Sequence, residues 1–303
     1  MKLFIHDELE ILAVTDSFAK IETNSSFGNI SVIPIVDIQK YTYDYVVIGT
    51  VKDVALIKGK LIDEGVREDK ILKLEDFYLS LYEEYYKDND LWDFYMNHSH
   101  GDIHKLLHYF RVYDKWFSKF RNKEIVMVEI GVGNGGSLQM WKNYFGSKAT
   151  IVGIDLRTEC KRFEEEQIHI EIGSQEDIGF WEYIKQKYPQ IDILLDDGGH
   201  TMKQQIVTYE EMFPHIKDGG IYLCEDTHTS YIQYYGGGLK KNTSYIEYSK
   251  NFIDDLNAYY IDEKEIGYNT KNIAGLHYYD SMVVIEKERV RSESFAILRN
   301  TMK

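Results

Sequence analysis

The feature that most constrains the fold is an alternation of strand-like and helix-like segments that begins near residue 124. Short apolar stretches predict strands at residues 125–130, 150–154, 168–172, 191–195 and 220–224, with helical patterns between them. We expect an α/β fold with a doubly wound, mostly parallel sheet, completed near residues 258–261 and by an antiparallel edge strand within 276–286. Ligands of such sheets bind at the carboxyl ends of the strands, so functional side chains are expected there.

The alternation covers only part of a chain of 303 residues, which exceeds what one hydrophobic core usually organises. Residues 1–85 predict a smaller N-terminal α/β module, with strands near 30–34, 45–50 and 70–72. No glycine-rich phosphate loop precedes these strands, which favours a structural or oligomerisation role over nucleotide binding. Residues 86–122 predict a helical connector and lid, residues 123–290 the main domain, and residues 291–303 a charged C-terminal tail.

Composition excludes several classes of partner. The formal charge of −15 would repel a phosphate backbone, so no nucleic-acid partner is expected. No apolar run approaches the roughly 20 residues that span a bilayer, and the start of the sequence lacks a secretory pattern, so we expect a cytoplasmic protein. The cysteines, Cys160 and Cys224, lack the spacing of a zinc site and are expected to be buried without a chemical role.

The first strand of the main domain runs directly into a glycine-rich segment, E-I-G-V-G-N-G-G-S, at Glu129–Ser137. Glycines let a ligand approach the backbone closely, and we do not expect a phosphate-bearing cofactor to be required. The second strand ends in Asp155, where a carboxylate can accept hydrogen bonds from both hydroxyls of a ribose. A glycine loop followed by a strand-end acid predicts an adenosine ligand.

Carboxylates also follow the fourth and fifth strands. The fourth strand ends in D-D-G-G-H, at Asp196–His200, and the fifth in E-D-T-H, at Glu225–His228. Carboxylates that converge at one sheet edge repel unless a cation neutralises them, and oxygen-rich sites suit Mg²⁺ or Mn²⁺. The competing interpretation makes Asp197 the cap of the helix that follows.

Taken together, E-I-G-V-G, G-G-S-L-Q-M-W, G-I-D, G-S-Q-E-D, D-D-G-G-H and G-G-I-Y-L-C-E-D-T-H-T-S-Y resemble one enzyme family across residues 100–290. They are similar to class I S-adenosylmethionine-dependent, metal-dependent O-methyltransferases of the mycinamicin and tylosin sugar type, which are related to the cephalosporin hydroxylase family. The resemblance implies a Rossmann-like methyltransferase sheet, S-adenosylmethionine, Mg²⁺ (or Mn²⁺), a sugar or glycoside acceptor and a homo-oligomer. The cofactor-binding residues that it implies are Glu129, Gly131, Gly133, Ser137, Asp155, Gln175, Asp177 and Asp196, and the metal ligands are Asp197, Glu225 and Asp226.

The implied reaction is methyl transfer to a hydroxyl, which is a poor nucleophile until it loses its proton. A nearby divalent cation makes a hydroxyl more acidic, and His200 is placed to take the proton as general base. Tyr231 and Gly236–Gly238 form either a lid over the substrate or a flexible turn. His104 and His108 would lie one turn apart if this segment is helical. Because no third ligand lies nearby, we expect them to pack or to form part of a lid over the cofactor rather than to bind a metal.

Other functions remain open at the level of sequence. A metal-dependent hydrolase could use the same cluster of Asp, Glu and His side chains to activate water. An oxygenase would prefer two histidines and one carboxylate around iron, whereas carboxylates dominate here. A non-catalytic binding or scaffold protein of the same fold is the third alternative, against which the intact set of site residues weighs.

Overall fold

The computed structural model describes residues 10–15, 26–27, 30–49, 53–83, 85–99 and 101–289. The chain divides into two compact units, Met1–Lys87 and Asp88–Lys303. Within the described ranges, no helix has the length and apolar character needed to cross a membrane. The tail predicted at residues 291–303 lies outside the described residues.

The first unit is a small α/β arrangement. Strands β1 (Val14–Thr15), β2 (Ser26–Phe27) and β3 (Ile30–Ile33) form one sheet, and β4 (Val46–Ile48) and β5 (Ile71–Lys73) pair in parallel. The helices are α1 (Val54–Asp63) and α2 (Leu74–Glu83). Ile48 of β4, Leu61 of α1 and Ile71 of β5 share a core with Ile38 and Val66, which lie outside these three elements. A parallel pair joined through a helix is what the sequence pattern predicts.

The second unit contains a seven-stranded sheet of order β11-β12-β10-β9-β6-β7-β8. Its strands are β6 (Ile125–Ile130), β7 (Ala149–Asp155), β8 (Ile168–Ile172), β9 (Ile191–Asp196), β10 (Ile216–Cys224), β11 (Ile273–Tyr279) and β12 (Met282–Lys287). Strands β6 to β10 run parallel, and their Ile, Val and Leu side chains are almost entirely buried because helices cover both faces. The predicted doubly wound sheet is confirmed, and the strand order reverses beside β6 and β9.

The helices of this unit are α3 (Asp90–Asn97), α4 (Tyr109–Phe117), α5 (Gly136–Phe145), α6 (Ile178–Lys187), α7 (Met202–Met212), α8 (Tyr245–Leu256) and α9 (Tyr268–Asn272). Two of their starting points matter for the site. Helix α5 follows Gly135, whose φ of +79° turns the chain directly from the glycine loop into the helix. Helix α7 begins at Thr201, which forms a capping box with Gln204. Both helices therefore start at the carboxyl edge of the sheet.

The structure corrects the expected completion of the sheet. The strand predicted near residues 258–261 is absent, since Ala258–Tyr260 forms a 3-10 helix. A hairpin of β11 and β12 completes the sheet instead, joined by a turn in which Ser281 has a φ of +62°. Strand β12 is antiparallel, as predicted, but it lies between β10 and β11 rather than at the edge.

Within the predicted helical connector, apolar residues from Ile103 to Phe120 recur at helical spacing and predict one helix, which the structure corrects. Helical structure begins only at Tyr109, and residues 102–106 have no helical or strand conformation. The reason is close packing against the glycine loop: a Cβ atom on Gly136 would come within 2.6 Å of the carbonyl oxygen of Asp102. The helical spacing of Ile103 and Leu106 therefore does not correspond to a helix, and this segment lies against the glycine loop instead.

Candidate active site

The candidate site lies at the carboxyl ends of β6, β7, β9 and β10. These ends are neighbours in the sheet, since β9 pairs with both β6 and β10 and β6 pairs with β7. Strand β6 leads into the glycine loop, β7 ends in Asp155, β9 ends in Asp196, and Glu225 follows β10 directly. The topology therefore assembles side chains that are up to about a hundred residues apart in the chain.

The glycine loop packs against the turn after β9 and also presents backbone to open space. Gly131 has a φ of +95°, and a Cβ atom there would lie 2.0 Å from the carbonyl oxygen of Asp197. Gly133 has a φ of +56°, yet a Cβ atom there would meet nothing within 4 Å. The first glycine thus permits a close backbone approach, and the second leaves an open backbone face beside it that a ligand could cover.

Asp155 holds this loop in place. Its Oδ2 atom accepts hydrogen bonds from the backbone amides of Val132 at 3.1 Å and Gly133 at 3.3 Å. Its Oδ1 atom accepts the amide of Arg157 at 2.9 Å, and the Arg157 guanidinium lies beside the carboxylate. Burial opposes ionisation of Asp155, but the hydrogen bonds from Arg157 outweigh it and lower the pKa of the carboxyl. Asp155 is therefore ionised at neutral pH, as the predicted contact with a ribose requires.

Glu129 is buried beneath the loop. It accepts a hydrogen bond at Oε2 from the Ser137 hydroxyl at 2.8 Å. Burial raises the pKa of this carboxyl, and the nearby ammonium of Lys105 acts in the opposite direction. Glu129 and Ser137, both predicted to border the cofactor, are thus in direct contact.

Gln175 and Asp196 form hydrogen bonds that hold the turn after β9. Gln175 donates from Nε2 to Asp196 Oδ1 at 2.9 Å and accepts the amide of Gly199 at 2.9 Å. Burial raises the pKa of Asp196 to about 6, and its Oδ2 atom has no hydrogen-bond partner among the described residues. Asp177 caps helix α6 by accepting the amide of Gly179 at 2.8 Å. Each of these residues has a role in the protein's own structure in addition to any contact with a cofactor.

Asp197, His200 and Asp226 converge on one point. One ligand atom from each lies within 4.8 Å of the others. His200 Nε2 lies 3.8 Å from Asp197 Oδ1 and 3.6 Å from Asp226 Oδ2, and all three side chains are half-buried. Carboxylate oxygens suit a hard divalent cation such as Mg²⁺ or Mn²⁺, and the imidazole nitrogen of His200 lies beside them as a possible proton acceptor. The residues present therefore fit a metal ion.

Two members of this group, His200 and Asp226, are among the seven non-glycine residues of the described chain that have a positive φ. His200 has a φ of +58° and Asp226 a φ of +51°, a region that costs a non-glycine residue roughly 1–2 kcal/mol. Such conformations persist where the surrounding structure over-determines them, and they are frequent at functional sites. The alternative interpretation of Asp197 as a helix cap is not supported, because Thr201 supplies the cap of α7.

Glu225, the remaining predicted metal ligand, lies outside the Asp197–His200–Asp226 group. Its side chain is fully buried, and it accepts a hydrogen bond at Oε1 from the Tyr113 hydroxyl. Its Oε2 atom lies 3.0 Å from the Lys105 ammonium. Burial raises the pKa of Glu225 well above its usual value, although Lys105 opposes this effect.

Three residues of the site were missed by the sequence analysis: Lys105, Tyr109 and Tyr113. Tyr109 donates a hydrogen bond to Asp226 Oδ1 at 2.7 Å. Lys105 donates to Asp197 Oδ2 at 2.6 Å and lies 3.4 Å from Glu129 Oε1. All three precede the sheet in sequence, within a segment interpreted only as an apolar helix. At helical spacing Lys105 falls outside the apolar face, so the pattern carries no signal of its role.

The histidines outside the group have other surroundings. His104 is exposed, and His108 donates from Nε2 to the carbonyl oxygen of Asp280 at 2.9 Å, so the two are not paired as one turn of a helix. His228 is exposed next to Thr227. Gly237 belongs to a tight turn, since a Cβ atom there would lie 2.4 Å from the carbonyl oxygen of Thr229. Cys160 and Cys224 are buried free thiols.

Comparison with known proteins gives a match to one family model and matches to several O-methyltransferases. Residues 1–72 match a family described as C2185-like, N-terminal. Demethylmacrocin O-methyltransferase of Streptomyces fradiae is 31% identical over 212 residues, which is 66% of this chain and 52% of that protein. Mycinamicin VI 2''-O-methyltransferase of Micromonospora griseorubida is 33% identical over 198 residues, which is 60% of this chain and 49% of that protein. The chain therefore spans about half the length of these relatives.

A solved structure agrees with these matches. The MycE methyltransferase of the mycinamycin biosynthetic pathway, in complex with Mg, SAH and mycinamycin VI, is 31% identical with a TM-score of 0.59. The match covers 66% of this chain and 53% of that chain. The resemblance drawn from the motifs is thus confirmed: the chain is a homologue of the sugar O-methyltransferases of the mycinamicin and tylosin type.

Proposed function

We propose that this protein transfers a methyl group from S-adenosylmethionine to a hydroxyl of a sugar or sugar-like molecule, with the help of Mg²⁺ or Mn²⁺. The observation that carries the proposal is the contact between the glycine loop and the carboxylate group. Gly131 packs against the backbone of Asp197, and the Lys105 ammonium contacts both Glu129 and Asp197. A methyl donor on the loop and a hydroxyl at the carboxylates would therefore be neighbours, as direct transfer requires.

The cofactor would lie along the ends of β6 and β7. Glu129, Gly131, Gly133 and Ser137 would border its methionine part, and Asp155 would accept hydrogen bonds from the ribose. The open backbone face at Gly133 and the ionised state of Asp155 support this placement. Gln175, Asp177 and Asp196 would form the wall nearer the adenine, with Gln175 holding the turn after β9 in register.

The metal would be held by Asp197 and Asp226, with Glu225 as the additional ligand implied by the resemblance. When bound, a divalent cation supplies positive charge that favours the ionised form of a nearby hydroxyl. His200 would take the hydroxyl proton at Nε2, the nitrogen that faces both carboxylates. Tyr109 keeps one oxygen of Asp226 occupied and so fixes the direction of the other.

Two hollows beside the group could receive the acceptor. One, of about 430 Å³, is lined by residues that include Thr227, Tyr231 and Tyr278. The other, of about 560 Å³, is lined by residues that include Thr201, Tyr234 and Tyr235. Exposed tyrosine rings present an apolar face and a hydroxyl, which suits a molecule with both apolar C–H faces and hydroxyl groups, such as a sugar. The acceptor class in this proposal is therefore a small glycoside or sugar.

The proposal also assigns the parts of the chain. Residues 123–290 would form the methyltransferase domain, residues 86–122 its connector and lid, and residues 1–85 a separate module. The glycine loop and Asp155 favour this function over a metal-dependent hydrolase, which has no need of an adenosine site. The positive φ values of His200 and Asp226 favour an active site over a scaffold protein, because such conformations are frequent at functional sites. The cytoplasmic location and the homo-oligomer stay predictions.

The test is a methyl-transfer assay with S-adenosylmethionine that carries a labelled methyl group. A panel of deoxysugar glycosides and nucleotide sugars would be assayed with Mg²⁺, with Mn²⁺ and with a chelator. We expect label in at least one acceptor, dependence on the metal, and a loss of about 100-fold or more in His200→Gln. His169→Gln, at a half-buried histidine on β8, is the matched control and should keep full activity. Metal-independent transfer, or full activity of His200→Gln, would refute the proposed mechanism.

A further inference from the structure

Lys105 is a buried cation in contact with three carboxylates. Its ammonium lies 2.6 Å from Asp197 Oδ2, 3.0 Å from Glu225 Oε2 and 3.4 Å from Glu129 Oε1. Only 1% of the Lys105 side chain is exposed. Loss of the Lys105 charge would leave buried carboxylates uncompensated, because removing either partner of a buried ion pair leaves an unpaired charge.

The ammonium occupies oxygens that a metal ion would also attract. Asp197 presents Oδ2 to Lys105 and Oδ1 to His200, so its carboxylate is shared between the lysine and the Asp197–His200–Asp226 group. Glu225 is not a member of that group, and its two oxygens contact Lys105 and Tyr113. Hard divalent cations and ammonium groups both prefer carboxylate oxygens, and like charges at such short range repel.

The segment that carries Lys105 is fixed to the glycine loop. Asn134 donates a hydrogen bond to Asp102 Oδ2 at 2.7 Å. A Cβ atom on Gly101 would lie 2.4 Å from the carbonyl oxygen of Asn134, so the two backbones are in contact. The lysine is thus presented to the carboxylates by the same loop that would bind the cofactor.

We propose that Lys105 is a built-in competitor of the divalent cation and sets the affinity of the site for metal. By neutralising Glu225 and one oxygen of Asp197, it weakens the attraction of the carboxylates for a metal ion. It also holds Glu225 in an ion pair that the metal must displace before Glu225 can act as a ligand. The inference rests on the proposed metal-dependent function. It assigns to Lys105 a role other than support of the fold. Removal of a structural residue would weaken metal binding, whereas removal of a competitor strengthens it.

The experiment measures Mn²⁺ binding by the full chain through the electron paramagnetic resonance signal of free Mn²⁺, which requires neither methyl donor nor acceptor. Lys105→Gln and Lys105→Met should bind Mn²⁺ about tenfold more tightly than the wild type or better, because a positive charge next to the ion has gone. Lys105→Arg keeps the charge and should remain within about threefold of the wild type. Lys217→Met is the control. It removes a lysine that pairs with Asp192 at the amino-terminal ends of β10 and β9, and this variant should bind Mn²⁺ as the wild type does.

Folding of each variant is checked by circular dichroism and thermal unfolding. If the neutral variants unfold, the comparison moves to Glu225→Gln with and without Lys105→Met, where one buried carboxylate fewer needs compensation. Tighter binding on loss of Lys105 in that pair supports the proposal. Unchanged or weaker binding in the folded neutral variants overturns it while leaving the methyltransferase proposal intact. Absence of Mn²⁺ binding in the wild type and in every variant overturns both.

Discussion

Replacing Gly131 by alanine should damage the site far more than the same change at Gly133. Both glycines have positive φ, so alanine at either position pays about 1–2 kcal/mol for a left-handed conformation. Only at Gly131 does the new Cβ collide with backbone, at 2.0 Å from the carbonyl oxygen and 2.9 Å from the carbonyl carbon of Asp197. No side-chain rotation can relieve this contact, and forced overpacking typically costs about 1–3 kcal/mol more.

The expected losses of unfolding free energy are therefore about 2–5 kcal/mol for Gly131→Ala and about 1–2 kcal/mol for Gly133→Ala. Urea unfolding followed by tryptophan fluorescence measures both, since Trp141 and Trp181 are fully buried in this unit. Because Asp197 must move, Gly131→Ala should also weaken Mn²⁺ binding, while Gly133→Ala should leave it unchanged. Equal destabilisation of the two variants, with equal metal affinity, would refute the close approach between the loop and the turn after β9.

Three further predictions concern the surroundings of the site. Tyr113→Phe removes the hydroxyl that donates to buried Glu225 and should cost about 1–3 kcal/mol of unfolding free energy in a urea titration; no measurable cost would contradict the contact. Thr201→Ala breaks the capping box of α7 and should cost about 1 kcal/mol, which thermal unfolding would detect; Ser244→Ala, at the cap of α8, gives a comparison. For Glu171, burial opposes ionisation, but hydrogen bonds from Lys187, Tyr188 and Tyr183 outweigh it and lower its pKa. The ionised Glu171 therefore stabilises the folded protein at neutral pH, and this stabilisation is lost as the pH falls through the lowered pKa. Glu171→Gln should make the decline of Tm on acidification less steep. An unchanged decline would contradict this.

The parallel sheet could be predicted from sequence because its signals are local. Each central strand is a short run of Ile, Val and Leu, and the functional carboxylates follow these runs directly, as Asp155 and Asp197 show. Once strand order is given by the fold, the convergence of the carboxylates follows from adjacency alone.

The contribution of Lys105 could not be predicted in this way. Apolar spacing around it imitates a helix, while contact with the glycine loop, which is remote in sequence, holds residues 102–106 in a non-helical conformation. The position of β12 inside the sheet was missed for a similar reason, since the order of a hairpin's strands depends on which strand pairs with β10.

Calorimetric titration of S-adenosylmethionine into the protein, with and without Mg²⁺, tests the central claim most directly. The account predicts specific binding by the wild type, loss of binding in Asp155→Ala, and retained cofactor binding in Asp197→Ala, whose defect would lie in metal binding instead. Absence of cofactor binding by the folded wild type under every condition would contradict the proposed methyltransferase.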